Sequence, residues 1–96
     1  MKYIVDIDNT ICKSIDSDYT KSTPYLDRIE KINKLYDEGH EIHYWTARGG
    51  NSGKDWSELT QTQLGLWGCK YHLLRTDKPS YDVWIDDKAI NSESYF

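Results

Sequence analysis

Two hydrophobic periods alternate along this chain. A short apolar run from Lys2 to Ile7, holding Tyr3, Ile4, Val5 and Ile7, is rich in β-branched side chains and predicts a buried strand. The polar stretch from Lys13 to Thr23 predicts a loop. Thr23 and Pro24 then suit a helix N-cap and a first helical position. Leu26, Ile29, Ile32 and Leu35 recur at helical spacing until Gly39 ends the pattern. Glu41 to Thr46, with Ile42, Tyr44 and Trp45, predicts a second strand. Arg48 to Lys54 is a glycine-rich loop, and Asp55 to Trp67 predicts a second helix stopped by Gly68. Tyr71 to Leu74 and Tyr81 to Ile85 predict strands three and four, and the tail beyond Asp87 one helical turn. Strands alternating with helices imply an α/β domain with a mainly parallel sheet, in which ligands gather at the carboxyl ends of the strands.

Size and composition narrow this picture. With 96 residues the chain has room for a single domain, residues 1–96. Its 4 Trp and 8 Tyr supply apolar surface for a core, which argues against disorder. No run approaches the ~20 apolar residues that span a bilayer, and Asp6 interrupts any signal-peptide core. A cytoplasmic protein with no membrane partner is therefore expected. Cys12 and Cys69 fit no zinc spacing and read as free thiols. A net charge of −4 disfavours binding to long nucleic acid, which usually demands a basic surface.

The polar residues fall at the predicted strand ends. Strand one runs into Asp6-Ile7-Asp8-Asn9-Thr10, strand two into Thr46-Ala47-Arg48, and strand four into Asp86-Asp87, with Lys78 just before strand four. Parallel strands would bring four carboxylates, a hydroxyl and an ammonium to one sheet edge. Clustered carboxylates repel, and a fold tolerates them mainly when a cation joins them. Hard oxygen donors select Mg²⁺ or Ca²⁺, and a phosphate facing few carboxylates favours Mg²⁺.

These motifs resemble those of the haloacid dehalogenase (HAD) superfamily of phosphohydrolases. Asp6-Ile7-Asp8-Asn9-Thr10 resembles its first motif, Thr46 the second, Lys78 the third and Asp86-Asp87 the fourth, in the family's order. The resemblance implies a compact, Rossmann-like, HAD-type sheet and a Mg²⁺-dependent phosphomonoesterase. It makes Asp6 the nucleophile that forms an aspartyl-phosphate and Asp8 the general acid and base. It also implies that Asp6, Asp8 (through its carbonyl) and Asp86 bind Mg²⁺, Asp87 helping through water, while Thr46 and Lys78 hold the phosphoryl oxygens.

Neither interval between motifs can house a folded cap domain, so the chain resembles the capless branch of the family. The Arg48 to Lys54 loop, led by Arg48, is then the candidate for recognising the leaving group of a small phosphorylated metabolite, such as a sugar phosphate. The resemblance implies that the chain crosses from strand three to the far side of strand one, and the six-residue connection from Arg75 to Ser80 holds no helix. One face of the sheet should therefore lack its usual helical cover, and a homo-oligomer is expected to cover it. Two alternatives remain open. One is a nucleotide or polynucleotide 3′-phosphatase; the other is a receiver-like phosphoacceptor module without turnover.

Overall fold

In a computed structural model, residues 1–16, 18–49 and 53–96 are described. Five strands and three helices follow one another: β1 (Lys2–Val5), β2 (Cys12–Lys13), β3 (Thr23–Pro24), α1 (Leu26–Asp37), β4 (Glu41–Trp45), α2 (Ser57–Leu66), β5 (Leu73–Arg75) and α3 (Ser92–Tyr95). β1, β4 and β5 form a parallel sheet in the order β1-β4-β5, with Val5 opposite Tyr44 and Tyr44 opposite Leu74. β2 and β3 pair separately and antiparallel.

Alternation along the strands decides which face is covered. Val5, Ile42 and Tyr44 point inward and pack with Ile29 and Ile32 of α1 and Leu64 of α2. Ile7, Ile11 and Cys12, just beyond β1, close the same core. Each fully buried aliphatic side chain stabilises the fold by about 1.5–3 kcal/mol relative to exposure. Ile4, His43 and Leu73 share a row on the opposite face, and there Ile4 and Leu73 remain exposed. Near the end of that face Trp45 meets the ring of Trp84, which in turn meets Tyr81.

Several expectations need correction. Thr23 and Pro24 do not open the helix. Pro24 pairs with Cys12, and the Tyr25 N–H donates to the Ile11 carbonyl, so the chain stays extended until Leu26. The polar stretch before it is not a bare loop, because it carries β2, a 3₁₀ turn at Tyr19–Lys21 and β3; Ser17 lies outside the described residues. Gly39 ends α1 as expected, with φ +96°, a conformation that disfavours any side chain.

The largest departure is strand four. Residues 81–85 form no strand, and Val83 and Ile85 are 75% and 93% exposed. The tail then turns back to α1. Arg28 bonds Glu93 and the Thr10 carbonyl, and Lys31 bonds the Tyr95 carbonyl. Among the described residues, no helix is long and apolar enough to cross a membrane.

Candidate active site

Asp6 leaves the carboxyl end of β1 just before a tight turn. That turn is closed by Thr10 and Ile11 N–H groups donating to the Ile7 carbonyl, with Asn9 in the left-handed region at φ +59°. It keeps Ile7 in the core while Asp6 and Asp8 stay partly exposed. Asp6 is half-buried, its side chain 37% exposed. One oxygen lies 3.6 Å from Lys78 Nζ, and the other accepts from Thr10 Oγ1 at 3.5 Å. Burial pushes the Asp6 carboxyl above the usual aspartate range, with Lys78 pulling against that shift and Asp8 adding to it more weakly.

Asp8 has different company. Arg48 grips it from two nitrogens, Nη2 at 2.8 Å from Oδ1 and Nε at 3.0 Å from Oδ2. Ser14 Oγ donates to Oδ1 at 2.5 Å, and the Cys12 thiol, whose pKa burial raises, lies 3.7 Å from the same oxygen. The Arg48 side chain is fully buried. Its remaining nitrogen, Nη1, donates to Gln63 Oε1 at 2.5 Å and Thr60 Oγ1 at 3.2 Å, and its plane lies 4.7 Å from the centre of the Tyr19 ring. Gln63 in turn donates to the Tyr19 carbonyl. Such a network stabilises because every member is satisfied.

These positions revise the sequence reading. Arg48 is not at the surface to meet a leaving group; it is a buried partner of Asp8. Thr46 is also buried, at 1% exposure, and its hydroxyl accepts from the Arg48 N–H. Lys78 stands where expected, beside Asp6, its own N–H donating to the Thr46 carbonyl. Of the glycine-rich loop, Gly50, Asn51 and Ser52 lie outside the described residues. Gly49 is bound to its place, because a Cβ there would sit 2.0 Å from the Lys54 carbonyl oxygen.

The expected convergence of four carboxylates is not formed. Asp86 is exposed, and its oxygens accept from the Lys88 N–H and Trp84 Nε1, which hold its carboxyl below the usual range. Among the described residues no three His, Cys, Asp or Glu side chains stand together as a candidate metal site. The acidic pair at the sheet end is neutralised by protein cations instead, Lys78 for Asp6 and Arg48 for Asp8. Sequence reasoning missed Ser14, Thr60 and Gln63. The last two had a signal: with Leu64 they form an i, i+3, i+4 set on α2, so two polar groups sit on its buried stripe.

No protein-family model matches the chain, and no curated protein matches it at a significant level. It is similar to a crystal structure from Vibrio cholerae described only as a target protein. The two are 28% identical, with a TM-score of 0.85, over 98% of this chain and 85% of the other. That likeness supports a compact α/β arrangement with a mainly parallel three-stranded sheet and three helices. No cap domain is present among the described residues.

Proposed function

We propose that this chain is a HAD-type, capless phosphomonoesterase acting on a small phosphorylated metabolite, with Asp6 as its nucleophile. One observation carries the reading: a half-exposed carboxylate at the carboxyl end of the first parallel strand, one oxygen 3.6 Å from a lysine ammonium. A phosphate monoester drawn to Lys78 would present phosphorus to Asp6. An Asp6 oxygen then forms a bond to phosphorus as the bond to the leaving oxygen breaks in line, giving an aspartyl-phosphate and an alkoxide that takes up a proton. Water attacks phosphorus in the second step, releasing phosphate and restoring the carboxylate. Lys78 offsets charge on the phosphoryl oxygens in both steps.

Asp8 serves as acid and base in this reading, which requires its carboxyl to leave Arg48 when substrate binds. Mg²⁺ dependence belongs to the proposal through the family resemblance, and the ion would offset charge on the phosphoryl oxygens. The grip of Arg48 on Asp8 favours a second reading, the phosphoacceptor module. With Asp8 held, Asp6 could accept a phosphoryl group and keep it.

A phosphate-release screen of sugar phosphates, nucleotides and 3′-phosphorylated oligonucleotides, with and without Mg²⁺, tests the proposal. Many turnovers on a small ester are expected, with Asp6→Asn at least ~10³-fold slower. One phosphate per chain, held stably, would select the acceptor reading instead. Near-normal turnover by Asp6→Asn would refute the nucleophile.

A further inference from the structure

The free edge of the sheet and the exposed acidic segment complement each other. Among the described residues β1 is an edge strand, and the backbone groups on its outer side face no other strand. Residues 82–85 read Asp-Val-Trp-Ile, a strand-like run that stays unpaired. Among the described residues, no backbone hydrogen bond joins positions 79–90 to another backbone group. Both segments place three apolar residues before an aspartate, Tyr3-Ile4-Val5-Asp6 and Val83-Trp84-Ile85-Asp86. Laid parallel with Ile85 beside Val5, they would set Asp86 beside Asp6.

A single chain cannot make that pairing. The Lys78 N–H is bonded to the Thr46 carbonyl at the carboxyl end of the sheet. The four peptide steps from Lys78 to Asp82 reach at most ~14 Å. Returning to the amino end of β1 takes ~13 Å along the strand, and passing from β4 to beyond β1 takes ~10 Å across it. The straight line is already roughly 16 Å, before any reversal of direction. Trp84 rests instead against Trp45, ring centres 6.0 Å apart, and leaves Val83 and Ile85 in solvent.

We propose that two copies of this chain exchange residues 82–85, each laying the segment parallel along the free β1 edge of the other. Two-fold symmetry satisfies both edges and both segments at once, with no third partner. The exchange covers Ile4, Val83 and Ile85, and it brings Asp86 and Asp87 of one copy to the Asp6 of the other. The catalytic meaning of that meeting rests on the function proposed above; the exchange itself does not.

Solution mass and inter-chain trapping test the exchange. The native chain should sediment at twice its 11.3 kDa mass, and Val83→Pro should sediment as a monomer with unchanged circular dichroism, because proline cannot continue a ladder. In a Cys69→Ser background, mixing Ile4→Cys chains with Trp84→Cys chains under mild oxidation should give a covalent heterodimer. Mixing Asp6→Asn with Asp86→Asn copies, each inactive alone, should restore phosphate release, since one site of the mixed dimer keeps both aspartates. A monomeric native chain, a Val83→Pro dimer, or no cross-link on mixing would overturn the exchange. If the phosphatase reading alone is wrong, the mass and cross-link results stand while no arm releases phosphate.

Discussion

Asp6 with Asp8 and Asp86 with Asp87 are acidic pairs of the same make, each following an apolar run, and their surroundings are opposite. The early pair sits on a packed turn, each carboxylate beside its own cation. The late pair stands in solvent, with Asp86 held by its own turn and Trp84. The contrast teaches that mutual repulsion between carboxylates can be relieved by buried arginine and lysine. Clustering in sequence is therefore weak evidence for a metal until the side-chain partners are known.

Removing Arg48 should break this comparison most severely. Arg48→Met leaves Asp8 charged without its cation and takes the Arg48 donor from Gln63 Oε1 and Thr60 Oγ1, at a cost of about 3–5 kcal/mol in urea unfolding. A loss under 1 kcal/mol would mean that the pair contributes little. Asp6→Asn should act in the opposite direction on stability. The folded pKa of Asp6 lies above its unfolded value, so the contribution present at low pH is lost as pH rises through the folded pKa. At pH 7 the charged carboxylate is a burden, and Asp6→Asn should melt higher than the native chain while losing turnover.

The pH profile sharpens the role of Lys78. Turnover should rise with pH as the raised Asp6 carboxyl ionises, so its acidic limb should lie above the ordinary aspartate range. Lys78→Gln removes the group that pulls this carboxyl down, and the limb should move to higher pH still. A limb that stays in place would uncouple the two residues. Smallest of all, Asp86→Asn should change the stability of the monomeric Val83→Pro chain by no more than about 0.5 kcal/mol, as at other exposed sites. A larger loss by chemical denaturation would show that the late pair is not free in the single chain.

What the sequence revealed followed from local physics. The β-branched run before Asp6, the alternation around Ile42 and Tyr44, and the glycine stop at Gly39 each depend on near neighbours, and each element formed where its pattern lay. Lys78 beside Asp6 was legible as well, from the order of the motifs. Arg48 was misread because its fate is set by distant groups: Asp8 lies 40 residues away, and Gln63 lies 15. A glycine-rich stretch after it made an exposed loop the natural expectation. Residues 81–85 have the composition of a strand, but composition is silent on whether a free edge lies within reach of the preceding connection.

The central claim is that Asp6, held beside Lys78, receives the phosphoryl group. Reducing the chain with borohydride during turnover converts an acyl-phosphate aspartate to homoserine, and trypsin then releases the peptide Tyr3 to Lys13, which holds both early aspartates. Fragmentation of that peptide should locate homoserine at position 6, with position 8 still aspartate. Homoserine at position 8, or at neither position while phosphate is being released, would contradict the account.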